Sequence, residues 1–156
     1  MRRRRRWIAL PMTMVVVLGL WPAAGCNKRA AGGSGGSTTG DILVGEYGSM
    51  TGSEATFGIS TDNGVKLAVE ERNAAGGIKG RKIKLFAYDD QGKTQEAVTA
   101  VTRLIQQDHV VAVIGEVASK LSIAGGQVAQ RLGVPMVSPS STNTKVTQIG
   151  DMVSRV

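Results

Sequence analysis

The sequence predicts an α/β fold on a doubly wound parallel sheet, and three observations carry that reading. Short β-branched segments bounded by Gly, Asp or Ser recur from residue 41 onward. Stripes of apolar residues at three- and four-residue spacing separate them. The two patterns alternate as strand, helix, strand, helix, strand, helix, strand. A helical crossover returns the chain to start the next strand in the same direction, so the succession builds βαβ units.

The first strand is Ile42-Leu43-Val44-Gly45-Glu46, the second runs from Lys82 to Tyr88, the third from Val110 to Ile114 and the fourth from Val134 to Val137. The third is almost continuously apolar, which predicts burial on both faces. In the first helix Val65, Ala68, Val69 and Arg72 form the stripe, with Asp62 as its cap and Gly76-Gly77 as its stop. The second starts near Thr94, carries Ala97, Val101, Leu104 and Ile105, and ends before His109. The third runs from Ser119 to Leu132 with Leu121, Ile123 and Val128 on its apolar face, and Gly133 closes it. The stretch from Gln148 to Val156 offers no closing helix. Four strands then leave a sheet edge and one helix face without cover, the pattern of the first part of a longer protein.

Upstream, Arg2 to Arg6 precede fifteen residues, Trp7 to Trp21, interrupted only by Pro11, Thr13 and Gly19, and then Ala23-Ala24-Gly25-Cys26. A charged start, an apolar stretch too short for the roughly 20 residues of a membrane-spanning helix, and small residues before a cysteine describe an export signal over residues 1–25. The last four residues resemble the bacterial lipobox, with Ala23 where Leu is usual, which implies that the Cys26 sulfur is lipidated. Residues 26–40, rich in Gly, Ser and Thr with no apolar residue larger than Ala after Cys26, bury too little to offset chain entropy and read as a flexible tether. The folded domain is expected over residues 41–156.

The net charge of +7 does not mark a nucleic-acid binder. Five of the 19 basic residues lie in the leader, and the remainder nearly balances 12 acidic ones. One Cys and one His exclude an internal disulfide and the common zinc sets, and no cofactor is expected. Gly92-Lys93-Thr94 ends like a phosphate-binding loop, but Ala87 replaces the first glycine and Asp89 and Asp90 would repel phosphate, so a strand-to-helix turn is expected. His109 immediately precedes a buried strand and reads as a strand-start residue with no nucleophile close in sequence, Gly-x-Ser-x-Gly is absent, and nothing pairs two of Glu46, Asp89, Asp90 and Glu116 as acid and base. The chain is therefore read as a non-enzyme.

Doubly wound sheets bind ligands at the carboxyl ends of their strands. The loops there are Tyr47 to Ser60, Asp89 to Thr94, Gly115 to Ser119 and Ser138 to Thr144, three of them rich in Gly, Ser and Thr. Helix starts among such residues suit a small anionic group.

Specific stretches then become recognisable: Asp41-Ile-Leu-Val-Gly45, Ser49-Met-Thr-Gly-Ser53 to Phe57-Gly58, Asn73-Ala-Ala-Gly-Gly-Ile-Lys-Gly80, Tyr88-Asp89-Asp90, Val113-Ile-Gly115 and Val134-Pro-Met-Val-Ser-Pro139. In this order they resemble the periplasmic branched-chain amino acid (leucine/isoleucine/valine) binding proteins, the receptors of ABC importers. The resemblance implies a type I periplasmic binding protein fold, of which residues 41–156 are a partial first lobe. It implies that Ser119 bonds a ligand α-carboxylate, that Thr142 meets the head group, that the Ser140 carbonyl takes an ammonium hydrogen, and that Phe57 packs on the ligand side chain. Gly92 and Ala118 stand where some members have a bonded cysteine pair, and Lys120 follows Ser119 where small hydroxyl residues are frequent. The implied function is a membrane-anchored lipoprotein, periplasmic or on the cell surface, that hands an amino acid or similar molecule to an ABC permease in the inner membrane. A sensory ectodomain and an exported enzyme are the alternatives on the same fold.

Overall fold

The computed structural model describes residues 40–156. The leader, Cys26 and all of the tether except Gly40 lie outside the described residues. From Ile42 the elements are β1 (Ile42–Gly48), α1 (Ala55–Ala74), β2 (Ile83–Asp89), α2 (Thr94–Gln106), β3 (Ala112–Ile114), α3 (Ser119–Leu132), β4 (Met136–Ser138), a 3-10 turn (Thr144–Gln148) and β5 (Val153–Arg155). All strand pairs are parallel, in the order β2-β1-β3-β4-β5. The chain moves outward one way from β1 to β2 and the other way from β3 to β5. The order thus reverses between β1 and β3, the point where doubly wound sheets open a crevice.

Period-2 alternation sends successive β1 side chains to opposite faces. Tyr47 points to the face covered by α2 and α3, where it joins Val113, Met136, Leu104, Val128 and Val153 in the core. Its hydroxyl donates to the Leu121 carbonyl at 3.4 Å, so the one polar atom of this buried ring is satisfied. Glu46 points the other way, toward α1.

That second face is only partly covered. The α1 stripe of Val65, Ala68, Val69 and Arg72 lines an open groove of about 620 Å³ with Val44, Ile83 and Ile114, and Val137 is 40% exposed. Burial of β3 on both faces is therefore not what the structure has. Val113 is buried while Ala112 and Ile114 are half-buried, because α2 and α3 seal one side and α1 packs only on β1 and β2.

Two further expectations are corrected. Asp62 does not cap α1; it lies buried two turns inside, and Glu54 occupies the cap position without a side-chain cap bond. The helix starts at Ala55, hidden in sequence by Gly58, Ser60 and Thr61, all weak helix formers. The sheet has five strands rather than four, because Val153–Arg155, three residues and too short to show alternation, pairs with β4. The second and third helices span the expected residues, and Gly133 closes α3 in the left-handed conformation. Asn73 ties α1 to β2: its Nδ2 donates to the Ile83 carbonyl at 2.8 Å and its Oδ1 accepts from the Ile83 N–H at 2.7 Å. Gly77 follows at φ 75°, where a Cβ would strike the Arg81 carbonyl.

Glu46 and Asp62 face one another from β1 and α1, each with an unpaired buried oxygen. Lys66 holds the other oxygen of Asp62 at 2.6 Å. Burial first, then the Asp62 charge, raises the Glu46 carboxyl from 4.5 to about 7, with Lys66 opposing. A folded-state value above the unfolded one means that the stability from this proton is complete below about pH 4.5 and is lost as pH rises through about 7. Glu46→Gln, which mimics the protonated form, is expected to stabilise the protein at pH 8 by up to about 3 kcal/mol and to be nearly neutral at pH 4.5. Urea midpoints against pH check this; parallel curves for the two proteins contradict it.

Candidate functional site

Three loops converge at the switch point, and Glu116 holds them together. It directly follows the last turn of chain out of β3 and is buried. Its Oε1 accepts from the Ser49 N–H at 3.0 Å and lies 3.1 Å from the Ser49 hydroxyl, while its Oε2 accepts from the Ala118 N–H. Its carbonyl accepts from the hydroxyls of Ser122 and Ser138, both at 2.6 Å, and lies 3.2 Å from that of Ser141. One residue therefore binds the loop after β1, the start of α3 and the loop after β4.

The loop after β2 joins through acids. The Ser49 hydroxyl donates to Asp90 Oδ1 at 2.8 Å, and Asp89 Oδ1 accepts from the N–H groups of Met50 and Gln91 at 2.9 and 2.8 Å. Burial raises the Asp90 and Glu116 carboxyls above their ordinary range, and hydrogen bonds from Gly92 and Ser49 in the first case, and from Ala118 and Ser49 in the second, pull them back. The turn that leads into Gly92-Lys93-Thr94 thus clamps the loop after β1 through Asp89 and Asp90. Gly58 completes the approach of α1: a Cβ there would strike the Ser49 main chain.

On this frame sits an open cleft of about 300 Å³ lined by Glu54, Phe57, Glu116, Val117, Ala118, Ser119, Ser140 and Thr142. It gathers Phe57, Ser119, Ser140 and Thr142, which sequence reasoning singled out from three separate segments. Neither Ser119 nor Thr142 caps the helix that follows it: Ala118 and Asn143 take the cap positions. The Ser119 oxygen instead accepts from the Asn143 N–H at 3.1 Å, which leaves its single proton free to be donated. The N–H groups of Ser119 and Lys120, in the first turn of α3, have no acceptor among the described residues. A helix N-terminus with free N–H groups and a free hydroxyl is a site for a carboxylate or another small anion. Phe57 is 61% exposed, so its ring is not core.

The network of Ser49, Asp90, Glu116, Ser122, Ser138 and Ser141 escaped sequence reasoning, although Asp90 and Glu116 stand at strand ends. Its partners are 41 and 67 residues apart, and no local pattern pairs them. Among the described residues no group of three or more His, Cys, Asp or Glu could hold a metal ion, and no helix is long and apolar enough to cross a membrane. The larger groove beside α1 is lined mainly by apolar residues, with Thr61, Arg72 and Ser140 as its polar members.

A parallel doubly wound sheet with an open, hydroxyl-bearing cleft at its switch point places the chain in the doubly wound α/β class. Comparison with known proteins gives the family: the periplasmic binding protein model matches residues 41–153, and the chain belongs to that family. It is 40% identical over 110 residues to an amino acid binding protein of Pseudomonas aeruginosa, covering 70% of this chain and 29% of that protein. It is 37% identical over 117 residues to the leucine-specific-binding protein of Salmonella typhimurium, covering 75% of this chain and 31% of that one. The structure of the branched-chain amino acid transporter substrate binding protein LivJ from Streptococcus pneumoniae in complex with isoleucine superposes with a TM-score of 0.72 at 36% identity, over 74% of this chain and 33% of that one. The fold is that of the type I periplasmic binding proteins, and the chain spans about a third of the length of these relatives.

Both Glu116 carboxyl oxygens accept backbone N–H groups, and an amide offers only one acceptor. Glu116→Gln is therefore expected to set an NH2 group against the N–H of Ser49 or Ala118 and to destabilise the protein by about 1–3 kcal/mol. Denaturant unfolding checks this, and an unchanged midpoint contradicts it.

Proposed function

We propose that the protein is a lipid-anchored, extracytoplasmic solute-binding component of an ABC importer that captures an amino acid or a similar zwitterion, and that it is not an enzyme. The observation that carries this reading is the start of α3, where Ser119, with a free hydroxyl, lines one cleft with Ser140, Thr142 and Phe57, and where the N–H groups of Ser119 and Lys120 have no partner among the described residues. In the proposed site the α-carboxylate lies on those donors, the Ser140 carbonyl takes an ammonium hydrogen, Thr142 meets the head group through its hydroxyl and backbone, and Phe57 packs on the side chain. The amino acid ligands of the relatives support the choice of solute. Residues outside this chain complete the site, closure on the solute replaces bond chemistry, and a membrane permease receives the cargo. Cys26 carries the lipid, and residues 26–40 give the receptor its reach.

Ser119→Ala in the full-length receptor is expected to weaken binding of the cognate amino acid by about 1–3 kcal/mol, the range for a hydrogen bond to a charged group. Calorimetry measures it. No loss for Ser119→Ala together with a loss for Thr142→Ala would place the carboxylate elsewhere.

A further inference from the structure

The cleft has an electrostatic asymmetry that the head-group reading does not use. Its lining holds two acids, Glu54 and Glu116, and no Lys or Arg. The Glu116 oxygens are occupied by Ser49 and by the Ala118 N–H. Glu54 is different. It is exposed, and among the described residues its carboxylate accepts no hydrogen bond and forms no ion pair. It stands at the start of α1, three residues before Phe57, whose N–H donates to the Glu54 carbonyl at 3.0 Å. Three-residue spacing puts both side chains on one side of the first turn, and both line the cleft. A carboxylate beside an open aromatic face attracts a cation twice, by charge and through the negative face of the ring.

We propose that the solute carries a cationic group beyond its amino-acid head group, an ammonium or guanidinium held between the Glu54 carboxylate and the Phe57 ring. This rests on the reading of the cleft as an amino acid site and narrows its substrate class. An aliphatic side chain closing over Glu54 would strip water from the carboxylate and return nothing, which is costly. An anionic side chain would be repelled. A cationic one replaces the lost hydration with a paired charge, and Lys120, the basic residue next to Ser119, is exposed and takes no part in the lining.

The test is calorimetric titration of the full-length receptor with L-lysine, L-arginine, L-norleucine, L-leucine and L-glutamate. Norleucine matches the lysine chain without its terminal charge. The proposal expects lysine or arginine to bind at least about tenfold tighter than norleucine. It expects Glu54→Gln to remove that preference by weakening lysine and arginine while norleucine binds no more weakly than before, and Phe57→Ala to weaken the cationic ligands most. Norleucine or leucine binding as tightly as lysine overturns it, as does a Glu54→Gln effect equal for all ligands, which would assign Glu54 to the α-ammonium group. Ser119→Ala separates the two levels. If it weakens every ligand and no cationic preference exists, only this inference falls. If no α-amino acid binds, the amino acid reading falls and takes the inference with it.

Discussion

The site depends on a buried carboxylate that accepts from two different loops. Glu116 spends its oxygens on the main chain of Ser49 and of Ala118, and its own carbonyl on the hydroxyls of Ser122 and Ser138. Burying an acid is costly unless its acceptors are used. Here they fix the distance between the end of β1 and the start of α3. The serines are small enough to lie inside this junction and polar enough to satisfy it. Ser138 also accepts from the Ser141 N–H at 3.1 Å, which turns the chain after β4 toward the cleft.

Glu116 is fully engaged within the junction, while the donors that follow it at the start of α3 are not. Ala118 has given its N–H to the carboxylate, and the next two N–H groups of α3 have no such partner among the described residues. The Ser119 hydroxyl is oriented by Asn143, so its proton is available to a ligand. The structural network and the proposed binding donors are thus consecutive residues of one chain segment, Glu116 to Lys120. Satisfying the interior acid is what presents the helix start to the cleft.

The helical stripes of α2 and α3 were legible in the sequence because each has one fully buried side, Val101 and Leu104 in one and Leu121 and Val128 in the other. The beginning of α1 was not. Gly58 is buried against the Ser49 main chain and Asp62 beside Glu46 of β1, and a helix that packs through a glycine and an acid shows no apolar period. β5 was missed because three residues carry no periodicity, and its identity comes from pairing with Met136 to Ser138. Phe57, Ser140 and Thr142 were picked out by family resemblance, while Ser119 was also legible as a helix start beside the switch point. The carboxylate network beneath them was invisible, because hydrogen bonds across three loops leave no spacing to read.

The central claim is that the first turn of α3 is where the ligand carboxylate lies. Hydrogen–deuterium exchange of the full-length receptor, with and without a saturating amino acid, tests it at the amides concerned. The account predicts slowed exchange at Ser119 and Lys120, with no matching change along the α1 groove at Val65 to Val69. Protection confined to that groove, with the α3 start unaffected, would contradict it.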